Sequence, residues 1–590
     1  MCECTLSAAE QQAVELDTLR HSTAHLMAAA IQKLWPGTHF GVGPAVEDGF
    51  YYDVALPDDH KLSTDDLERI EATMRQIAKQ NLPLTRAEVS RAEATAQFVE
   101  QPFKEELIAE LPEGEVISTY ALGDFCDLCR GPHVRYTSKL KHFKLTKVAG
   151  AYWRADASRE QLQRIYGTAW KTADELASYL DFLEEAEKRD HRKLGKELDL
   201  FSFNELVGPG LPLYHPKGAR TLRLLQDWLR TELIARGYVE VITPHIYKSD
   251  MWKMSGHYDH YKDDMFFFQV EEGEDAQGKP RVTEYGVKPM NCPGHVMVYS
   301  ANLHSYRDLP MRIFEFGTVY RNEMSGVVHG LMRARGFTQD DAHLLVRPDQ
   351  VQGEVLGMLD LVDYVMSTFG FSYTAELSTR PEDSIGTDEM WELATSALRD
   401  ALEAKGIAYE INEGDGAFYG PKIDIKLKDA IGRIWQCSTI QFDGNMPGLF
   451  GAEYRTADNT AETPYMLHRA ILGSMERFFG ILLEHYNGAL PTWLVPVQAV
   501  VIPISEDQNE AARAVASELA AAGVRVEVDT ANERMNAKIA RAQSQRVPYM
   551  LVLGKREAES GEVSVRHRSE GDIGAMPVGA LAEKILSEHP

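Results

Sequence analysis

Residues 170–200 read WKTADELASYLDFLEEAEKRDHRKLGKELDL, dense in charge with a thin apolar stripe at Leu176, Leu180, Phe182 and Leu183. So narrow a stripe cannot seat a helix in a core, and the segment reads as a solvated connecting helix at a domain boundary. A single core therefore cannot run through all 590 residues. At roughly 100–200 residues per domain, about three or four domains are expected. The composition, 44% hydrophobic and 26% charged, leaves ample material to fill them.

Ahead of that segment, Leu19, Ala24, Leu26, Met27, Ala30, Ile31 and Leu34 keep near-helical spacing, and Trp35-Pro36-Gly37 closes the helix. Residues 41–54 alternate turn formers with aromatics and read as strand and turn. Beyond it, from about 201 to 490, helix-like runs such as 219–235 alternate with β-rich pieces at 265–270, 312–320 and 423–427. Turns rich in Gly and Pro at 207–212 and 290–295 separate them. Regular crossover helices do not join these strands, so a largely antiparallel sheet with helices is expected. After Pro491 the order is strand 499–504, helix 507–522, strand 524–528, helix 533–545 and strand 549–553, which predicts a small α/β domain with a parallel sheet.

The chain has 62 Lys and Arg against 89 Asp and Glu, a net charge of −27. That opposes a general nucleic-acid coat, because non-specific binding rests on neutralising phosphates. A local basic patch remains open: 534–556 holds six basic residues and no acidic one, and Arg534, Lys538 and Arg541 fall on one helix face. That face is either solvated or a nucleic-acid footprint. Six cysteines (Cys2, Cys4, Cys126, Cys129, Cys292, Cys437) are too sparse for a disulfide framework. The start lacks a signal-peptide pattern, and no apolar run is long enough to span a membrane, so a cytoplasmic protein is expected.

Three constellations carry chemistry. His21 and His25 lie one helical turn apart, and Cys126-Asp127-Leu128-Cys129 leads to His133. These are ligand types zinc prefers, or a metal-free pocket that orders a hydrolytic water. Cys292, His343 and His468 would give zinc three ligands and one open position, with His295 and His329 as rivals on composition. Arg321, Arg333, Arg335 and Arg477 suit phosphate recognition, because a guanidinium fork matches phosphate oxygens. No GxxxxGK[ST] is present, so any nucleotide is bound without a P-loop.

Together RHSTAHL, GFYYD, DLCRGPH, AGAYWR, RIYGTAW, KPMNCPGH, YRNEMSGVVHGLMRARGFTQDDAH, AFYGPKID, HRAILGSMERF and RVPYMLVLG resemble the class II aminoacyl-tRNA synthetases, and within them the threonyl-tRNA synthetases, over nearly the whole chain. The resemblance implies a multidomain α+β and α/β fold: an editing domain at 1–168, a linker helix at 169–200, a class II antiparallel-sheet catalytic core at 201–490 and an α/β anticodon-binding domain at 491–590. Residues 218–244 are similar to motif 1, which in this family builds a homodimer interface. Tyr320–Glu323 and 473–478 are similar to motifs 2 and 3.

The family reaction joins L-threonine to tRNA(Thr) through an adenylate made from ATP, with Mg2+ accompanying the nucleotide. By position, Arg321 would hold the α-phosphate and the amino-acid carboxylate, Arg477 the far phosphates, and Lys422 would add a cation. Phe337 would stack on adenine beside Glu323, Arg333 and Gln436. Cys292, His343 and His468 match the family's zinc ligands, one ion per chain, with Gln339, Asp341 and Tyr419 completing the threonine pocket. His21, His25, Cys129 and His133 match an editing centre that hydrolyses seryl-tRNA, assisted by Asp127 and Tyr52. That centre is expected to work without metal. Asn532, Glu557 and Arg566 match anticodon-reading positions. Two departures are expected: no room before His21 for a further small N-terminal domain, and Cys126 where the family is usually apolar.

Overall fold

The computed structural model describes residues 8–156, 158–274 and 276–590, so Cys2 and Cys4 lie outside the described residues. The chain divides into two compact units between Glu184 and Glu185. The charged stretch supplies two helices rather than one, Ala173–Lys188 and His191–Glu197. The first buries no residue, as a solvated connector should. The second buries His191 and Leu194, and Leu194, Leu198 and Leu200 join the core of the second unit, so the solvated reading fails for that half.

In the first unit the leading helix runs Ala8–Leu34, longer at its start than its apolar spacing indicated. Gly37 follows at φ +90°, a left-handed turn that glycine adopts without a steric cost. The helix buries Ala24, Leu26, Met27, Ala30 and Ile31 completely. They share a core with Phe50, Val54 and Ile165 of an antiparallel sheet whose long strands are Gly49–Ala55, Gln161–Trp170 and His142–Tyr152. A second sheet, Thr85–Val89, Ile117–Leu122 and Phe125–Leu128, is antiparallel throughout.

The second unit is built on an eight-stranded sheet. Its interior strands, Met311–Tyr320, Gly336–Val346, Tyr465–Ala470, Ile434–Asp443, Lys422–Lys428 and Ser372–Ser378, pair antiparallel. Only the edge strands Val239–Glu240 and Tyr409–Asn412 pair parallel. Because side chains alternate along a strand, this sheet has two unlike faces. Phe314, Ala342, Leu344, Leu467, Ile440, Phe442, Ile423 and Ile425 point into one large core. The intervening residues form the other face, which carries the candidate site.

Residues 290–295, read as a turn, instead open the helix Cys292–Ser300, with Pro293 in its first turn. Proline is tolerated there, because its missing N–H would have had no helical partner.

The C-terminal sheet is mixed rather than parallel. Val526–Val528, Ala499–Pro503 and Tyr549–Leu553 pair parallel, but Glu562–His567 and Gly571–Pro577 add two antiparallel strands. Those strands were illegible because only Val563 and Val565 give a period-two signal and glycines interrupt the last one. The basic helix face is also corrected. Lys538 is buried and donates to the Pro503 carbonyl, while Arg541 pairs with Asp529 at 2.7 Å and Glu533 at 2.8 Å. The local run of basic residues hid these partners because they lie outside it.

Candidate functional site

Phe337, Gln339, Asp341 and His343 sit at every second position of the Gly336–Val346 strand, so they share its polar face. Register extends that face: His343 stands opposite His468, which stands opposite Gln441, and Thr439 stands opposite Asp424. Above it lies a cleft of about 990 Å³. Every residue matched to ATP or threonine lines this cleft: Arg321, Glu323, Arg333, Phe337, Gln436, Arg477, Gln339, Asp341, Tyr419 and Lys422.

The cleft has a cationic end and a metal-ligand end. At the first, the Arg321 guanidinium carbon lies 5.2 Å from the Phe337 ring centroid, and Arg333 is held by Glu323 at 2.8 Å. The Arg477 backbone N–H is capped by Ser474 Oγ, and its buried Nε has no hydrogen-bond partner among the described residues. Lys422 pairs with Asp424 and with Asp415 at 3.0 Å. Burial opposes its charge, but these carboxylates outweigh burial and raise its pKa.

At the other end the ligand atoms of Cys292, His343 and His468 all lie within 4.8 Å of one another. His343 is completely buried, and its Nε2 has no hydrogen-bond partner among the described residues. Burial, reinforced by His468 and His295, holds its pKa well below the usual histidine range, so the imidazole is neutral and able to ligate. Burial, then Asp341 and Asp443, pushes the Cys292 thiol well up, as expected of a sulfur that ionises only with a cation beside it. One thiol and two imidazoles with a buried free nitrogen fit a zinc site with one open position.

Sequence reasoning missed the groups that support this set. Asn291 Nδ2 donates to Asp341 at 2.9 Å, and Gly317 must lack a side chain because a Cβ there would meet Asn291 Oδ1 at 2.4 Å. His468 Nε2 lies 3.2 Å from Asp443 Oδ2. Tyr419 donates to Gln441 at 3.0 Å. His295 does not join the ligand group but lies against His343 through their Nδ1 atoms at 2.7 Å. His329 lines the cleft away from the ligand group.

In the first unit, His21, His25, Cys129 and His133 likewise gather within 4.8 Å. Cys129 Sγ lies 3.4 Å from His21 Nε2 and 3.2 Å from His133 Nε2, and it accepts the Gly131 N–H at 3.2 Å. Ser22, one residue along the helix, meets His133 Nδ1 at 3.1 Å. Burial, then His25 and His21, lowers His133 to about 2, while burial raises Cys129 to about 11. Burial also lowers His21, and His25 well below the usual histidine range, so all four groups are neutral near pH 7, the state a base or a water-ordering pocket needs. Tyr52 donates to Asp127, whose other oxygen is 2.5 Å from the buried ammonium of Lys104. Lys104 was missed because its helix, Pro102–Glu110, carries no motif of its own. Cys126 stands apart from the four and accepts from Gln97 at 2.9 Å.

In the C-terminal module Asn532 and Arg566 are exposed, and Glu557 accepts the Gly554 N–H at 3.1 Å. Asn532 and Glu557 follow the ends of the parallel strands Val526–Val528 and Tyr549–Leu553.

Residues 268–486 match the family described as tRNA synthetase class II core domain (G, H, P, S and T). Residues 498–588 match the anticodon binding domain, and 117–166 match the threonyl and alanyl tRNA synthetase second additional domain. The chain is 51% identical over 568 residues to a threonine–tRNA ligase of Desulforamulus reducens, covering 96% of this chain and 87% of that one. It is 52% identical to one of Geobacter sp. (strain M21), again covering 96% and 87%. Among solved structures, the RNA binding domain of threonyl-tRNA synthetase from Cryptosporidium parvum Iowa II aligns with a TM-score of 0.65 at 44% identity, covering 68% of this chain and 98% of that one. Prolyl-tRNA synthetase from Cryptosporidium parvum aligns with a TM-score of 0.51 at 15% identity, covering 68% of this chain and 74% of that one, a likeness of fold alone.

Proposed function

The chain belongs to the threonine–tRNA ligase family of class II synthetases, and on that footing we propose how its two pockets divide the work of charging tRNA(Thr) accurately. The ligase joins L-threonine to tRNA(Thr) at the expense of ATP. In the large cleft Arg321 holds the α-phosphate and the threonine carboxylate, Arg477 holds the far phosphates, and Lys422 adds a cation near the reacting groups. Positioning and electrostatics thereby stabilise the charge on the transferring phosphoryl group. Phe337 stacks on adenine, with Glu323, Arg333 and Gln436 around the nucleotide. Mg2+ arrives with the ATP phosphates.

Cys292, His343 and His468 would hold one Zn2+, which would supply a Lewis-acid contact for the amino group and hydroxyl of threonine. Gln339, Asp341 and Tyr419 close the pocket around the substrate. Valine, lacking the hydroxyl, leaves such a polar site unsatisfied and is rejected strongly. Serine lacks only a methyl, worth about 1–3 kcal/mol, a limit well recognised for aminoacyl-tRNA synthetases. The pocket of His21, His25, Cys129 and His133, backed by Tyr52 and Asp127, therefore orders a water that hydrolyses seryl-tRNA(Thr). Domain limits of 1–168, 169–200, 201–490 and 491–590 suit this division. Asn532, Glu557 and Arg566 read the anticodon, the segment 218–244 pairs two copies as a homodimer, and the protein works in the cytoplasm.

The observation that carries this reading is the buried Nε2 of His343, which has no hydrogen-bond partner among the described residues, beside Cys292 and His468 on the strand face that also bears Phe337, Gln339 and Asp341. The test is ATP–pyrophosphate exchange with each amino acid, paired with zinc analysis of the same sample. Strong exchange with threonine, weaker with serine, negligible with valine and about one zinc per chain are expected. Equal exchange with valine, or a fully active metal-free sample, would overturn it.

A further inference from the structure

Beneath the metal-ligand end of the cleft runs a buried chain of polar groups that touches neither ATP nor threonine in the roles assigned above. His343 Nδ1 lies 2.7 Å from His295 Nδ1, and His295 Nε2 lies 3.2 Å from Glu315 Oε2. Glu315 also accepts the Thr243 N–H at 2.9 Å and the Thr243 hydroxyl at 2.8 Å, and the Lys288 ammonium stands 3.3 Å away. His295, Lys288 and His343 are completely shielded from solvent, and Glu315 and Thr243 are only 4% exposed.

The proton positions follow from this arrangement. Glu315, with donors from Thr243 and an ammonium beside it, is the fixed acceptor, so His295 donates to it through Nε2–H. In a neutral His295 the Nδ1 atom is then a bare lone pair. It can only accept, which places the proton of His343 on Nδ1 and leaves the lone pair of His343 on Nε2. That is the atom with no hydrogen-bond partner among the described residues, the nearest carboxylate oxygen, Asp341 Oδ1, lying 3.8 Å away and out of hydrogen-bond range. The opposite polarity would put a proton on His343 Nε2 and turn it away from a cation. The other candidate histidine ligand has a shorter support, since His468 Nε2 meets Asp443 directly at 3.2 Å.

We propose that His295, oriented by Glu315, is a positioning residue that fixes His343 in its ligating tautomer and so sets metal affinity and, through it, threonine selection. This rests on the zinc reading of Cys292, His343 and His468. A ligating histidine normally donates its second N–H to a carboxylate, carbonyl or water. Here a second imidazole is inserted between ligand and carboxylate, which explains why His295, a rival ligand by composition, lies outside the ligand group.

The test measures zinc affinity by competition with a chromophoric chelator for the full-length wild type, His295→Leu, His295→Asn and Glu315→Gln, with thermal melts to check folding. His295→Leu is expected to bind zinc about 10–100-fold more weakly, the usual effect of losing such a partner. His295→Asn retains an acceptor oxygen near the Nδ1 position and is expected to recover much of that loss. Glu315→Gln is expected to fall between them while remaining folded, with a lower melting temperature because the buried Lys288 ammonium loses its carboxylate. Wild-type affinity in His295→Leu overturns the proposal, as does an equal loss in the Asn and Leu variants, which would mark a packing role. If His295→Leu does not fold, wild-type affinity in Glu315→Gln overturns it. A folded wild type that binds no zinc overturns the zinc reading itself, a result distinct from zinc-loaded variants that behave alike.

Discussion

Glu476 is 5% exposed, and its carboxylate accepts the Thr338 N–H at 2.8 Å, next to Phe337. Burial outweighs that bond and raises its pKa to about 7. Between the ordinary carboxylate value and 7 the folded chain keeps a proton that the unfolded chain has released. This group's effect is therefore to lower stability as pH rises through that window. Glu476→Gln is predicted to gain stability relative to wild type between pH 5 and pH 8, read from urea midpoints at both; a pH-independent difference would contradict this. The same scale shows what sequence could and could not deliver. Phe337, Gln339 and Asp341 were named only through the resemblance, and His343 also by its residue type; the strand Gly336–Val346 that spaces them at every second position was not read from the sequence. His295 could not be told from a ligand, because spacing does not say which nitrogen meets which partner. Lys538 misled, since a helix-face pattern does not reveal that Pro503 lies over the ammonium.

The short helix His191–Glu197 acts as a clamp. His191 Nδ1 meets Glu484 Oε1 at 2.6 Å, and its Nε2 accepts the Leu331 N–H at 3.0 Å. It thus ties the helix Met475–His485, which begins beside Arg477, to the loop that carries Arg333 and Arg335. A Cβ at Gly330, which has φ +51°, would sit 2.2 Å from that ring, so the loop passes the histidine only as glycine. His191→Ala is predicted to cost about 1–3 kcal/mol, the usual penalty for a buried group left unpaired. It should also speed hydrogen exchange at the Leu331 amide and raise KM for ATP more than it lowers kcat. Unchanged exchange at Leu331 would show that the loop is held by other contacts. At this scale element type was largely legible, since long periodic helices and apolar strands declare themselves. The helix starting at Cys292 was not, because Pro and Gly in its first turn imitate a loop.

For the whole molecule, the segment similar to motif 1 ends in an edge strand of the eight-stranded sheet, Val239–Glu240, with Ile234 55%, Val239 53% and Ile242 90% exposed. A sheet edge flanked by bare aliphatic residues is a surface that a second copy can cover. Ile242→Asp is predicted to halve the mass measured by light scattering while leaving the circular dichroism unchanged; a monomeric wild type would remove the homodimer from the account. The three-part organisation was legible because charge density changes sharply at 170–200 and texture changes again after Pro491. The C-terminal antiparallel hairpin was not, for want of apolar residues. What joins these scales is one claim: a metal held by Cys292, His343 and His468 recognises threonine directly. Its most direct test replaces zinc with cobalt in the full-length protein and records the visible absorption as amino acids are added. Threonine should shift the cobalt bands at concentrations that support activation, and valine should leave them unmoved. Bands indifferent to saturating threonine would contradict direct recognition by the metal.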